Sequence, residues 1–289
     1  MGDDFAAFIL THGRPDNVKT YGTLRKCGYT GAIYLIVDDE DRSLKDYRAR
    51  YGDEVIVFDK AKEAETTDRG DNFESLGTVL FARNACFKIA RQLGLQYFIE
   101  LDDDYSWFEY RFDSSPKFVT NGQIRSLDLV FAAQVEFLNS TEAKTITMLQ
   151  GGDFIGGRLN QNATAIRLTR KAMNSFVCDV DRPIDFLGRL NDDVNTYVVR
   201  GREGLLMFST TQTSLCQSDT QQSVGGLTEA YLEAGTYAKS FYTVMMQPSS
   251  VKIGSMGDTH RRVHHRIRWC NTVPKILRED TRRQDGQTD

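Results

Sequence analysis

Three consecutive carboxylates, Asp102, Asp103 and Asp104, follow directly on the apolar run YFIEL. Adjacent like charges repel and aspartate is a poor strand former, so something must compensate them. Water does so in a surface turn; a cation does so in a site. At an extended strand end, residues i and i+2 face the same side. Asp102 and Asp104 can therefore hold one cation while Asp103 points elsewhere. Hard divalent ions take carboxylate oxygens and bridge to phosphates, so Asp-x-Asp after a buried strand is a natural diphosphate–metal site. A bare acidic triplet is more often a solvated turn. The buried strand in front, and two other loaded segments, reverse that preference. These are His12 to Arg14 and Asp38 to Asp41, each ending its own apolar run. The same stretch nearly fits a phosphatase pattern, with Asp102 as nucleophile and Ser106 in a threonine position. That pattern belongs on a first strand, and three predicted strands precede this one.

Other residues could join such a site. Arg83 and Asn84 fall off the apolar stripe of a helical segment. Arginine can pair with phosphate and asparagine can bond a ribose or sugar; a solvated helix face is an equal alternative. In RLNDDVNTYVV an acid, Asp192 or Asp193, could serve as general base, or Asn-Asp could simply start a helix. The segment THRRVHHRIRW places three of the four histidines within residues 260 to 265. Imidazole suits manganese-like ions, so His264 or His265 could complete an Asp-bound metal site; adjacent histidines otherwise just face opposite ways. Residues 258–283 carry eight Arg and Lys against three acids, in a chain of net charge −4. This patch, including Arg261, Arg262, Arg266 and Arg268, suits the phosphates of a nucleotide or of DNA, or is a plain basic surface. The run YSWFEYRF could offer a stacking platform, although Phe108, Tyr110 and Phe112 alternate as in a packed strand.

Positioning these groups falls to a regular first half. FAAFILTH (5–12), AIYLIVDDED (32–41), EVIVFD (54–59) and YFIELDDD (97–104) read as buried strands. Between them lie helical patterns: residues 14–28, with Pro15 in the first turn and Gly28 closing; LKDYRARYG (44–52), with Ser43 as cap; and residues 78–94, with Ala82, Cys86, Ile89 and Leu93 on one face and Gly94 as stop. Strands alternating with helices imply crossover units and a mixed, mostly parallel sheet flanked by helices, an α/β fold with a Rossmann-like nucleotide half. Ligands bind such sheets beyond the carboxyl ends of the strands, where the loaded residues fall. The second half is less regular. Residues 124–140 read as an amphipathic helix with Leu127, Phe131, Val135 and Leu138 on one side. TITMLQG (145–151), LLMFST (205–210) and SFYTVMMQP (240–248) look like strands, and residues 151–157 and 224–230 like Gly-rich loops. One domain is expected, with a nucleotide-side half over about 1–112, an acceptor-side half over about 113–280 and a flexible tail at 281–289.

The 289 residues, 40% hydrophobic, suffice for a real core. A sequence pI of about 5.7 argues against wholesale electrostatic attraction to DNA. Cys27, Cys86, Cys178, Cys216 and Cys270 are scattered and odd in number, which disfavours a zinc site or disulfide framework and fits a cytoplasmic protein. The first apolar run is too short for a signal peptide or membrane span. No obligate protein partner is evident.

FILTHGRP, IYLIVDDED, FARNACF and FIELDDD, in this order, resemble the GT-A fold of nucleotide-sugar glycosyltransferases. GRLNDDVNTYVVRG, GGLTEAYLEAGTYAKSFYTVMMQPSSVKI and HHRIRWCNTVPKIL resemble, more specifically, the TET-associated glycosyltransferases, found largely in bacteriophages and related to the base J glucosyltransferase. The resemblance spans about residues 5 to 280. It implies a UDP-sugar donor, Mn²⁺ or Mg²⁺ as cofactor, and DNA carrying hydroxymethylated pyrimidines, 5-hydroxymethylcytosine first, as acceptor. It assigns Asp102 and Asp104 to the Asp-x-Asp motif, with Asp104 the direct metal ligand and Asp102 nearer the ribose; Asp103 goes with the donor-binding residues. Thr11, Gly13 and Arg14 would edge the uridine and diphosphate, Asp38 or Asp39 would hold uracil or ribose, and Arg83 and Asn84 would contact diphosphate and sugar. Asp193 would be the catalytic acid or base, with Asp192 where the family pattern has Glu. His264 or His265 would be the C-terminal metal ligand. Two other readings stand beside this: transfer to protein or glycan, and a catalytically silent scaffold of the same fold.

Overall fold

In a computed structural model of the chain, the four apolar runs become β1 (Phe5–Leu10), β2 (Ala32–Asp38), β3 (Val55–Phe58) and β4 (Tyr97–Asp102). They pair in parallel in the order β3-β2-β1-β4. The structure describes residues 2–72, 74–115, 117–154, 157–160, 171–217, 228–256 and 262–273. Parallel neighbours need crossovers, supplied by α1 (Lys19–Lys26), α2 (Leu44–Tyr51), α3 (Lys60–Ala64) and α4 (Leu80–Gln92). Period-two alternation along β1 feeds two cores. Phe5, Ala7 and Ile9 pack with Leu24, Tyr47 and Phe131, while Ala6, Phe8 and Leu10 pack with Leu80, Cys86 and Phe98.

Beyond β4 the sheet continues β8-β7-β9-β5-β6, with β5 (Tyr105–Phe112), β6 (Phe118–Gln123), β7 (Thr145–Gln150), β8 (Ser175–Asp179) and β9 (Met207–Gln217). Here only β7–β9 is parallel; β4–β8, β7–β8, β5–β9 and β5–β6 are antiparallel. The nine-stranded sheet is therefore mixed. A bulge between Tyr105 and Trp107 turns both Tyr105 and Phe108 inward and leaves Trp107 half-exposed. Helices α5 (Leu127–Asn139), α6 (Asp192–Arg202) and α7 (Thr228–Met246) flank the strands. A separate antiparallel hairpin, β10 (Val251–Met256) and β11 (Arg262–Ile267), packs on α7.

Three expectations need correction. Residues 240–246, expected as strand, form the last turns of α7. Their β-branched and aromatic residues favour strands only where sheet neighbours exist; here Tyr242 and Thr243 are buried against neighbouring elements and Phe241 and Met245 are exposed, a helical division. Helix α1 begins at Lys19, so Pro15 lies outside it. Residues 14–17 instead form a turn, with Asn17 N donating to Arg14 O. Residues 151–154 and 157–159 are short 3-10 turns, whereas 224–227 and the expected tail lie outside the described residues. Gly28 does close α1: its φ is +82°, and a Cβ there would meet Arg125 O at 2.1 Å. Among the described residues, no helix is long and apolar enough to cross a membrane.

Candidate active site

The turn after β4 is clamped from below by α1. Thr20, fully buried, donates its hydroxyl to Asp102 O at 2.6 Å and accepts from Tyr105 N at 2.9 Å. Its own N–H donates to Asp103 O at 3.1 Å. The fixed backbone sends the acids different ways. Asp103 turns toward β1 and α2, accepting from Thr11 at 2.7 Å and pairing with Arg14 at 3.1 Å. Asp102 turns toward α4, pairing with Arg83 at 3.2 Å. Gln217, at the end of β9, reaches Asp102 at 3.5 Å and also hydrogen-bonds Asp104.

Arg83 is the hub of the buried side. Helix α4 is buried nearly all round, on Leu80, Phe81, Ala82, Ala85, Cys86, Phe87 and Ile89, so Arg83, off the stripe, is buried too. Its guanidinium meets Asp192 at 2.7 Å, Asp102 at 3.2 Å and Glu100 at 3.5 Å. It also lies over the rings of Phe176 and Phe186. Burial works to lower its pKa, but the nearby carboxylates, Asp192 first and then Asp102 and Glu100, outweigh burial and raise it. Asn84 engages its amide on Phe186, accepting from Phe186 N at 2.8 Å and donating to Phe186 O at 3.0 Å.

The acids of α6 arrive through an unusual turn. Asn191, at the N-cap position, is left-handed, with φ +58° and no side-chain cap bond. Its amide instead donates to Lys239 O at 2.7 Å and Thr243 Oγ1 at 3.3 Å on α7. This fixes the helix start, where the dipole favours anions. Asp192 is buried against Arg83, whereas Asp193 is half-buried and accepts from Val194 N at 2.7 Å.

Six carboxyl groups thus gather around two guanidiniums: Glu100, Asp102, Asp103, Asp104, Asp192 and Asp193 around Arg14 and Arg83. Burial, against the pull of Arg83, pushes Glu100 up to about 8. Burial, with repulsion from Asp104 and Asp193, pushes Asp102 up to about 6. Asp103 is pushed to about 6, mainly by burial; Asp104 and Asp192 are also raised, burial first and then a neighbouring aspartate. Negative charge is in excess, and the donors at the strand tip are all hard oxygens, which fits Mg²⁺ or Mn²⁺. Among the described residues no three His, Cys, Asp or Glu side chains already form a cage. An ion held by one or two carboxylates, with substrate phosphates and water completing its shell, matches that donor set.

Beyond the ends of β1 and β2, His12 Nδ1 lies 2.7 Å from Asp38 and 3.4 Å from Asp41, and Lys60 Nζ lies 2.8 Å from Asp38. Gly13, with φ +68° and open space at its Cα, donates its N–H to Asp41 at 2.7 Å. Asp39 is exposed and accepts from Lys60 N at 2.9 Å. On the hairpin, His265 is buried beside Lys171, with Nε2 3.4 Å from Nζ, and stacks on His264. Burial, with Lys171, His264 and Lys239, pulls His265 down to about 3. Arg266 and Arg268 are exposed, the Arg262 backbone lies in β11, and Arg261 lies outside the described residues.

The profile of the TET-Associated Glycosyltransferase family matches residues 5–226. The chain belongs to that family. Among curated proteins, none matches it. Among solved structures it is similar to the mannosyltransferase PcManGT from Pyrobaculum calidifontis, in complex with GDP-Man and Mn²⁺, at 10% identity and TM-score 0.51. The match covers 84% of this chain and 62% of that one, so the chain spans under two thirds of the archaeal enzyme. It is also similar to a Mycobacterium tuberculosis glucosyl-3-phosphoglycerate synthase in complex with Mn²⁺, UDP and phosphoglyceric acid, at 6% identity and TM-score 0.45, covering 92% and 87% of the two chains. At such identities the likeness speaks for the fold, which is of the GT-A type.

In this TET-associated glycosyltransferase, sequence reasoning passed over Thr20, Tyr47, Lys60, Glu100, Asn191 and Gln217. Tyr47 OH accepts from Arg14 N at 2.9 Å and shares a hydrogen bond with Thr11 at 2.8 Å. Glu100 carried a signal, as the one charge inside an apolar strand. The others act through partners tens of residues away and left none. Ser106 donates to Cys216 O at 3.3 Å, which places it on a neighbouring strand's backbone.

Proposed function

We propose that the chain transfers a sugar from a UDP-sugar to the hydroxymethyl group of a modified pyrimidine in DNA, 5-hydroxymethylcytosine first, releasing UDP. The observation that supports this most is the meeting on Arg83 of the strand-tip acid Asp102 and the α6 acid Asp192, with Asp193 beside them. One cluster thereby holds a diphosphate-side group and an acceptor-side group together. Family membership supports the reaction class, and the acceptor is proposed from the resemblance to that family.

Asp104 and Asp102 would hold Mn²⁺ or Mg²⁺, which when bound supplies positive charge against the departing diphosphate. Thr11, Gly13 and Arg14 edge the nucleotide, with Asp39 at its base end. Asp193 accepts the proton of the acceptor hydroxyl as that oxygen attacks the anomeric carbon. The sugar–phosphate bond breaks with its electron pair leaving on UDP. An alcohol is a weak nucleophile at neutral pH, so a positioned base contributes ~10²–10⁴-fold. One base and a single displacement give inversion.

The exposed face of the hairpin would meet the DNA backbone. Lys252 and Arg266 stand directly opposite each other in register, and both are exposed. Like charges so placed repel unless an anion lies over them. Incubation with hydroxymethylated DNA, Mn²⁺ and a panel of UDP-sugars, then digestion to nucleosides and mass spectrometry, tests the reading. A nucleoside gaining one sugar mass supports it. Donor consumption without that gain points to a protein or glycan acceptor, and no consumption at all points to a silent scaffold.

A further inference from the structure

Resting on the UDP-sugar reading, the geometry points to His12, rather than Asp38, as the residue that reads the uracil base. An aspartate at the end of β2 is the obvious candidate, because it could accept from the base. In this chain that carboxylate is already committed. Asp38 is buried, its Oδ2 meets His12 Nδ1 at 2.7 Å, and its Oδ1 meets Lys60 Nζ at 2.8 Å and Glu40 N at 3.2 Å. Neighbouring Asp41 is buried as well, and accepts from Gly13 N at 2.7 Å and Ser43 N at 2.8 Å.

The accessible member of this group is the imidazole. The His12 side chain is 44% exposed, while those of Asp38, Asp41 and Lys60 are all under a tenth exposed. Its position follows β1 and adjoins Gly13, whose open Cα lets a planar ligand approach the backbone. Nδ1 faces two carboxylates, at 2.7 and 3.4 Å. That pairing fixes the ring, favours its protonated form and leaves Nε2–H as the outward donor. The groups acting on the ring are Asp38 and Asp41 from the β2 end and Lys60 from α3, and the carboxylates prevail.

A fixed outward N–H selects a base by its edge. Uracil presents the O4 carbonyl, an acceptor, where cytosine presents an amino group, a donor. His12 therefore favours UDP over CDP, through an attractive contact with one and a donor–donor clash with the other. Asp38 and Lys60 act through it, as positioning residues.

Calorimetry with UDP and with CDP, both in Mn²⁺, tests this on the full chain. The wild-type protein is expected to prefer UDP. His12→Phe keeps the ring shape without donors and should weaken UDP binding ~10-fold or more, the effect of losing a charge-assisted hydrogen bond, while CDP binding does not weaken, its donor–donor clash being relieved. His12→Gln, whose amide can reach the Nε2 position, should recover part of the preference. A single cooperative melting transition in both variants shows that they fold, even where its midpoint falls with the loss of the Asp38 pair. If the wild-type protein prefers UDP and His12→Phe keeps that preference undiminished, the assignment to His12 is wrong while the UDP-sugar reading stands. If the wild-type protein binds neither nucleotide, the donor reading itself fails.

Discussion

Arg83 Nε lies 2.7 Å from Asp192 Oδ2, joining α4 to the start of α6 across 109 positions of sequence. The same guanidinium reaches Asp102 at 3.2 Å. One buried cation thus sets the spacing between the strand-tip acids and the α6 acids. Arg83→Met leaves Glu100, Asp102 and Asp192 buried without their counter-charge. Breaking a buried network by removing one partner costs about 3–5 kcal/mol, so urea denaturation should show a loss of that order. A loss under about 1 kcal/mol would mean that the acids tolerate one another without the guanidinium. Arg83→Lys should rescue little, because a point ammonium cannot serve three carboxylates at once.

Thr20 holds the turn that aims the acids. Thr20→Val removes the hydroxyl that bonds Asp102 O and Tyr105 N but keeps the shape. An unsatisfied buried amide costs about 1–3 kcal/mol, and chemical denaturation should find that loss. Donor KM should rise as well, since the loosened turn carries Asp102 and Asp104. A stability loss with unchanged donor KM would make Thr20 purely structural.

The parallel half of the sheet was legible because its strands are buried on both faces and read as continuous apolar runs, as in FAAFIL and IYLIV. The edge β6, the inserted β8 and the hairpin β10–β11 carry mixed patterns that only their neighbours make into strands. Residues 240–246 misled for the same reason: Tyr242 and Val244 suit a strand locally, but α7 buries Tyr242 against Leu190 and packs Val244 on Val194 and Val251. At the site, the acids were visible as types, but their pairing was not. For Arg83 a phosphate contact and a solvated helix face stood equal, because its partner Asp192 lies 109 residues away. The sequence also left open that His265 is enclosed beside Lys171.

The His12–Asp38 pair makes a pH prediction. The hydrogen bond that His12 donates to Asp38 raises His12 above the ordinary 6.5; burial opposes this, and the charges of Asp38 and Asp41 add to it. Burial works to raise Asp38, but hydrogen bonds from His12 and Lys60 leave it below the ordinary 3.8. The His12 contribution is therefore complete below 6.5 and fades as pH rises through its raised value. The Asp38 contribution is complete above 3.8 and fades as pH falls through its lowered value. Between those ordinary values the pair holds β1 to β2 at full strength. NMR titration of the His12 ring should give a midpoint above 6.5, and Asp38→Asn should lower it. A wild-type midpoint below 6.5 would rule out the charged pair.

Asp104 is the residue whose loss should remove the metal. Asp104→Ala should abolish transfer and the Mn²⁺-dependent part of UDP binding, while melting changes little because the side chain lies at a strand tip. Calorimetry of UDP with and without Mn²⁺ reads the effect directly. Normal transfer by the variant in the presence of a strong chelator would remove the metal from the mechanism.

Substitution of Asp193, the proposed base, should separate binding from chemistry. It sits at the N-terminus of α6, beside Asp192 but outside the Arg83 ion pairs. Asn has nearly the same shape and still accepts from Val194 N, so Asp193→Asn should leave the fold and UDP binding intact. It cannot take a proton, so kcat should fall by ~10²–10⁴ with donor KM little changed. The neighbouring change Asp192→Asn acts differently. It weakens the pair with Arg83 and should lower the denaturation midpoint, which Asp193→Asn should not. If the two variants lost stability alike and kept turnover alike, both acids would serve the fold, and the base would have to be sought elsewhere.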